Sequence, residues 1–264
     1  MNSTRLAEKI TYKACGKTLL ELMIERLKPV QVDVLLVATT INKKDDYLVA
    51  LCNSLNIPCF RGSEEDVLDR YYKAALANSL EVVIRIPSDC PLIDPAIVSE
   101  MLSEFLNKKD EIDYMSNLHP CTTPDGLDVE IMTFEALKIA WREADKLFQR
   151  EHVTPYLWDN PQRFKISNWR LPGGNEEWYY TERWTIDYKE DVEMVIRIFE
   201  ELYPKKGIFS WKNVFCLLND NPEIRNINSH LAGINWYRNC AKDLRNIDKQ
   251  RIKYHPSEKN KEGL

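Results

Sequence analysis

The feature that most constrains this chain is an alternation. Short apolar runs take turns with segments of helical spacing over the first two hundred residues. "VDVLLVATT" (32–40) reads as a strand buried on both faces, and "YLVALCNSLN" (47–56) as a helix. "IPCFRG" (57–62) is a short strand ending on Gly62. "SEEDVLDRYYKAALANS" (63–79) is a helix with Ser63 as N-cap and Asp66 in a box-like place. "EVVIRIP" (81–87) is a strand, and "DPAIVSEMLSEFLNK" (94–108) a helix with Asp94 as N-cap and Pro95 at its first position. "DYMSN" (113–117) is again strand-like. Strands that alternate with helices predict an α/β fold with a mainly parallel sheet and right-handed crossovers. A chain of 264 residues suffices for one such domain and an appendage.

In sheets of this kind, ligands bind outside the carboxyl ends of the strands. "IRIPSDCPLIDP" (84–95) puts Asp89 there, just where an apolar run ends. "ERWTIDYKEDVEMVIRIFEEL" (182–202) repeats the pattern: a short strand ends on Asp187, and a helix follows with Asp191 and Glu193 in its first turns. Two carboxylates meeting at a sheet edge could hold one Mg²⁺, which takes one or two carboxylates together with substrate phosphates and water. A loop acid that caps the next helix is the competing reading.

The middle of the chain is less regular. "PDGLDVEIMT" (124–133) alternates as a strand does, "TFEALKIAWREA" (133–144) and "REHVTPYLWDN" (150–160) read as helices, and "RFKISNWR" (163–170) as an edge strand. Beyond Pro204 the pattern becomes helical and more polar. The expected division is therefore 1–204 for the α/β domain and 205–264 for a helical extension. A net charge of −5 excludes a general coat for nucleic acid or an acidic membrane. The seven cysteines have no C-x-x-C spacing, which points to reduced, mostly buried thiols in the cytoplasm. The four scattered histidines do not make a metal cage, and no apolar stretch approaches the ~18 residues of a membrane span.

The chain opens with "MNSTRLAEKI". Ser3, Arg5 and Lys9 there read either as a frayed start or as a loop gripping a triphosphate. It lacks the G-x-x-x-x-G-K-[ST] pattern of a Walker loop. "STRLAEK", "VATT", "FRGSEEDVLDRYYKAA", "RIPSDCPLIDP", "PDGLDVEI", "REHVTPY" and "RWTIDYKEDVEMV" follow in this order. Together they resemble the cytidylyltransferases of surface-polysaccharide synthesis, in particular the spore-coat type related to CMP-sialic acid and CMP-Kdo synthetases. The resemblance runs from residue 3 to about 202, and "NPEIRNIN" adds to it. It implies a Rossmann-like nucleotidyltransferase fold, a GT-A-like three-layer sandwich. CTP is the implied donor, Mg²⁺ the cofactor and an acidic sugar, sialic acid- or Kdo-like, the acceptor. The implied metal ligands are Asp89 and Asp187, and the implied phosphate-binding residues are Ser3, Arg5 and Lys9. Arg61, Gly62 and Ser63 would stand near base or ribose. Asp125, Asp128, Glu130, Glu151 and His152 would line the sugar side, although a structural role for His152 and a solvated Arg150–Glu151 pair are equally natural. A homodimer through the C-terminal helices is implied by analogy. Other sugar-nucleotide nucleotidyltransferases, a glycosyltransferase on the same fold and a non-catalytic homologue stay open.

One departure stands out. The resembled family begins with an apolar strand and Gln-Ala-Arg ahead of the Ser-x-Arg-x-x-x-Lys segment, whereas this sequence starts inside that loop. Ala7 and Glu8 replace the family's usual Pro-Gly. The expectation is a sheet lacking a central strand of about five or six residues, with neighbouring strands deprived of partners. Either an upstream start or a degenerate short homologue would account for it.

Overall fold

The computed structural model describes residues 9–256. A hairpin of β1 (Lys13–Ala14) and β2 (Lys17–Thr18) leads into α1 (Leu19–Leu27). The Thr18 hydroxyl accepts from Glu21 N–H at 3.2 Å and the Glu21 carboxylate accepts from Thr18 N–H at 2.6 Å. This capping box satisfies two helix-end donors. The chain continues through β3 (Val37–Thr40), α2 (Asp46–Ser54), β4 (Cys59–Gly62), α3 (Val67–Ala77), β5 (Val82–Arg85), α4 (Pro95–Asn107), β6 (Tyr114–Ser116), β7 (Glu130–Thr133) and α5 (Phe134–Glu143). Then come α6 (Leu147–His152), α7 (Pro155–Trp158), β8 (Ile166–Asn168), α8 (Trp178–Thr181), α9 (Lys189–Lys206), α10 (Trp211–Asp220) and α11 (Pro222–Asn226).

The main sheet has the order β5-β7-β6-β8. β6 and β8 are parallel, and β7 runs against both β5 and β6, so three of the four strands share one direction. Register sorts its side chains into two layers. Val83, Met132 and Tyr114 lie in line and pack with α3, α5 and α7 through Leu68, Ala75, Leu137, Ala140 and Leu157. Ile84, Ile131 and Met115, one residue on, face the opposite layer with Leu22 and Met23 of α1, Ile97 and Met101 of α4, and Val195 and Ile198 of α9. The period of two thus produces the expected three-layer α/β/α sandwich. Val214 and Leu218 of α10 and Ile224 of α11 join the second layer. Asp94 ties them in: its carboxylate accepts from Ala96 N–H at 2.9 Å, capping α4, and from Trp211 N–H at 2.8 Å.

The sheet is interrupted. β3 and β4 pair in parallel as a separate two-stranded sheet, and among the described residues no strand joins β3 to β5. A cavity of about 890 Å³ separates them, lined by residues 34–38 on one side and 82–86 on the other. α1 spans the gap, with Leu22 and Met23 packed on the main core and Leu20 and Ile24 on the cluster of Leu48, Cys52 and Ile57. Among the described residues, then, the edges of β3 and β5 that face this cavity have no strand between them. The interruption corrects the strand expected over 32–40. Only Val37–Thr40 is paired, because β4 reaches no further, and Val34, Leu35 and Leu36 remain half-buried at the cavity wall.

Other local expectations are corrected. α3 starts at Val67, with Asp66 and not Ser63 as N-cap; Asp66 accepts from Asp69 N–H at 2.9 Å, while the Ser63 hydroxyl accepts from Asp66 N–H at 3.0 Å one turn earlier. The strand expected over 124–133 is confined to 130–133, because Asn117 occupies the backbone of the preceding stretch: it accepts from Val129 N–H at 2.9 Å and donates to Leu127 O at 2.7 Å. The helix expected over 150–160 is split by Val153 at φ 73° and by Pro155. Residues 182–187 form a single bridge, Asp125 to Arg183, in place of a strand. The cysteines are all free, as expected, and no helix among the described residues is long and apolar enough to cross a membrane.

Candidate active site

Asp89 follows β5 by four residues, and Asp187 precedes α9. The backbone brings them together: Ile186 N–H donates to Asp89 O at 2.9 Å, and the Thr185 hydroxyl donates to the same oxygen at 3.1 Å. Both carboxylates then converge on one ammonium group. Lys9 Nζ donates to Asp187 Oδ1 at 2.8 Å and to Asp89 Oδ2 at 3.3 Å. Three residues expected to act together are thus assembled at the carboxyl end of β5. Ser3 and Arg5 lie outside the described residues.

Asp187 is held from behind. The buried Arg183 guanidinium grips Asp191 through two bonds, at 2.9 and 3.0 Å, and reaches Asp125 Oδ2 at 3.3 Å and Asp187 Oδ2 at 3.4 Å. Asp191 also accepts from the N–H groups of Asp187 and Tyr188 at 2.9 and 3.0 Å, which fixes the turn into α9. Asn228 completes the set, donating to Asp191 Oδ1 at 2.8 Å and to Arg183 O at 2.9 Å. A charge this buried needs such complete pairing.

The segment 125–128 crosses in front of residues 184–185. Gly126, at φ 110°, permits this approach, since a Cβ there would sit 2.4 Å from Thr185 N. A small cavity beside Asp89 and Asp187 is lined by Asp125, Asp128 and Glu130, by Arg85, and by the aromatic groups of His119, His152, Trp158, Tyr179, Trp236 and Tyr237. Burial, and next the charge of Asp89, push the Asp128 carboxyl up to about 7. Glu130 is fully engaged: the Tyr114 hydroxyl donates to it at 2.6 Å, and Thr154 and Arg85 also donate to it. Its contacts are those of a strut between β5, β6 and α7. His152 stacks on Trp236 with ring centroids 3.7 Å apart. Glu151 is exposed, and Arg150 pairs not with it but with Asp66, at 2.5 Å.

Arg61, Gly62 and Ser63 stand apart from this cluster. Arg61 donates to Thr40 O, Asn42 O and Asp46 at 2.7 to 2.9 Å, bracing the loop after β3. Gly62 lies against Arg70, and Ser63 O accepts from Arg70 Nη1 at 2.6 Å. Sequence reasoning missed Arg85, Arg183, Asn228, Trp236 and Tyr237. Arg183 carried a signal, because it lies four residues before Asp187 and eight before Asp191. Asn228 and Trp236 carried none, because their role arises only when the C-terminal segment folds back.

The cytidylyltransferase family model matches residues 1–221, which include Lys9, Asp89, Asp128, Arg183, Asp187 and Asp191, while Asn228, Trp236 and Tyr237 lie beyond it. The chain belongs to the cytidylyltransferase family. As such it is a CTP-dependent nucleotidyltransferase, as the resemblance implied. The chain is 38% identical over 234 residues to MJ1063, an uncharacterized protein of Methanocaldococcus jannaschii, covering 87% of this chain and 91% of the relative. It is 30% identical over 235 residues to the spore coat polysaccharide biosynthesis protein SpsF of Bacillus subtilis, covering 84% and 92%. A solved cytidylyltransferase from Leptospira borgpetersenii superposes with a TM-score of 0.78 at 30% identity, covering 85% of this chain and 92% of that one.

Proposed function

We propose that this cytidylyltransferase transfers CMP from CTP to a hydroxyl group of a sugar for a surface polysaccharide or glycan. The new bond joins the sugar oxygen to the α-phosphorus, and the bond to the β-phosphate breaks to release pyrophosphate. The observation that carries the reading is the convergence of Asp89 and Asp187, 98 residues apart, on the single cation of Lys9. The relation to SpsF supports a polysaccharide role.

Two carboxylates that already share one cation are a donor set suited to Mg²⁺, whose remaining positions go to phosphate oxygens and water. Among the described residues no group of three or more Asp, Glu, His or Cys is placed to hold a metal ion, so Asp89 and Asp187 would be the protein's ligands to it. When bound, the ion neutralises charge on the transferring phosphoryl group. The chain's own residues do the rest. Arg183 and Asp191 hold Asp187 in place. Lys9, and Arg5 and Ser3 by resemblance, offset the charge leaving with pyrophosphate. Arg61, Gly62 and Ser63 brace the β3 loop on the nucleotide side. Asp128, pushed up to about 7 and so partly ionised at neutral pH, can in its carboxylate form take the proton of the attacking hydroxyl.

The acceptor side is lined by carboxylates and aromatic faces. Asp125 and Asp128 suit sugar hydroxyls, and Trp236 offers a face for a sugar ring. An acidic sugar is the acceptor implied by resemblance. A specific observation favours a second one: among the described residues Arg85 is the one arginine that lines this cavity, and it is already matched with Glu130. That balance favours a neutral or amino sugar. Pyrophosphate release with each nucleoside triphosphate, Mg²⁺ and sugars of all three charges tests the reading. CTP-selective, sugar-dependent release is expected, and equal release with UTP or GTP contradicts it.

A further inference from the structure

The cavity beside Asp89 and Asp187 has one wall that lies beyond the family match. Ile234, Asn235, Trp236 and Tyr237 line it, past residue 221. Burial leads the chain there. Ile224 of α11 is buried in the layer of α1, α4 and α9, whereas Tyr237, Cys240 and Leu244 are buried in the layer of α3, α5 and α7. The segment between them has to pass from one face of the main sheet to the other, and it passes at the edge that carries the two aspartates. The crossing is pinned along its length. Asn228, 1% exposed, donates to Asp191 and to Arg183 O. Arg183 Nη1 donates to Ile234 O at 2.7 Å and to Asp125 Oδ2 at 3.3 Å, so the guanidinium that reaches Asp187 also holds this wall. The Asp159 carboxylate accepts from the N–H groups of Arg245 and Asn246, both at 2.9 Å. Between these pins the rings close up: Trp236 lies on His152, and Tyr237 meets Trp158 edge-on with centroids 6.1 Å apart. "NPEIRNIN" (221–228) is the lead-in to the crossing, and its last residue is the pin Asn228.

We infer that residues 228–238 form the wall that selects the acceptor, with Trp236 as a specificity-determining residue and Asn228 as the residue that positions it. This deepens the proposed transfer to a sugar and rests on it. The groups assigned above to CTP and its metal, Lys9, Asp89 and Asp187, all lie inside the family match. The wall adds no charged side chain to the cavity: its four lining residues bring an aliphatic group, an amide, an indole and a phenol. Ring faces and single hydrogen-bonding groups suit the C–H faces and hydroxyls of a sugar, and not a triphosphate. The wall should therefore set the KM of the acceptor and leave that of CTP unmoved.

The test measures pyrophosphate release by the parent chain, Trp236→Ala, Trp236→Phe and Asn228→Ala. Each receives CTP, Mg²⁺ and, in turn, glucose, glucosamine, Kdo and N-acetylneuraminate. Trp236→Ala should raise the KM of the sugar that the parent uses at least ~tenfold, with the KM of CTP held within about twofold. Trp236→Phe keeps a ring and should restore most of the loss. Trp236→Leu, of closer volume but without a ring, takes the place of the alanine variant if that one fails to fold. Asn228→Ala should raise the same sugar KM and speed amide exchange across 231–240 at least ~tenfold, while 130–133 exchanges as in the parent. An unchanged sugar KM in the folded Trp236 variants, or a CTP KM that rises in step with it, overturns the inference and leaves the proposed function standing. Unchanged exchange across 231–240 in Asn228→Ala overturns the positioning of the wall by Asn228. Release by the parent with none of these sugars overturns the sugar reading itself, and this inference with it.

Discussion

Lys9 Nζ lies 2.8 Å from Asp187 Oδ1, across 178 residues of sequence, and shares its charge with Asp89 at 3.3 Å. A divalent cation must compete with that ammonium for the same oxygens. Replacing Lys9 by Met should therefore tighten Mn²⁺ binding several-fold while lowering turnover at least ~tenfold, because the charge offset at pyrophosphate is lost. Titration of Mn²⁺ by calorimetry, beside a rate assay, checks both halves. Weaker metal binding in this variant would mean that Lys9 organises the carboxylates and does not compete for them.

Asp191 should be a support and not a reacting group. Asp191→Asn leaves the buried Arg183 short of its best partner, and such breaks cost about 3–5 kcal/mol. Urea unfolding should show a loss of that order. A variant as stable as the parent would contradict the role given to Asp191.

Asp128 and Glu130 are two residues apart and should behave oppositely. Glu130→Gln weakens contacts to Tyr114, Thr154 and Arg85, so stability should fall by about 2 kcal/mol or more. Asp128 is a carboxyl made costly by burial and by Asp89, so Asp128→Asn should leave Tm unchanged or slightly higher. Turnover should nevertheless fall at least ~tenfold, since the proton acceptor is gone. Thermal melts and initial rates of the two variants separate strut from reactant.

His119 gives stability a pH dependence. Burial against Trp158 lowers its pKa from 6.5 to about 4, so the folded chain keeps the ring neutral where the unfolded chain protonates it. The unfolded state then binds more protons between those values. The stabilisation is whole above pH 6.5, is lost as pH falls toward 4, and changes no further below that. Its size is about 3 kcal/mol at most. His119→Gln should flatten the stability profile across that window, as unfolding midpoints from pH 7 to pH 4 would show.

Much of this was legible in the residues. Asp94 followed by Pro95 announced the start of α4, and the end of the apolar run at Pro87 placed Asp89 at the sheet edge. Asp187 was found in the same way, although the strand assigned before it proved to be a single bridge, because 182–187 is held by Arg183 and by the Asp89 carbonyl and not by a ladder. Ser63 looked like the cap of α3 because it precedes two acids, yet Asp66 cuts in one turn later with the better geometry. The return of residues 228–237 over the site was not legible. It depends on Asn228 meeting a charge pair 37 and 45 residues away, and no local period encodes that.

The central claim is that Asp89 and Asp187 jointly hold a divalent cation for CMP transfer. The most direct measurement is Mn²⁺ binding in the presence of CTP, followed by electron paramagnetic resonance, for the parent chain, Asp89→Asn and Asp187→Asn. The account predicts CTP-dependent binding in the parent and its loss, at least ~tenfold in affinity, in each variant, with melting temperatures close to the parent's. Unchanged Mn²⁺ binding in either folded variant would contradict it.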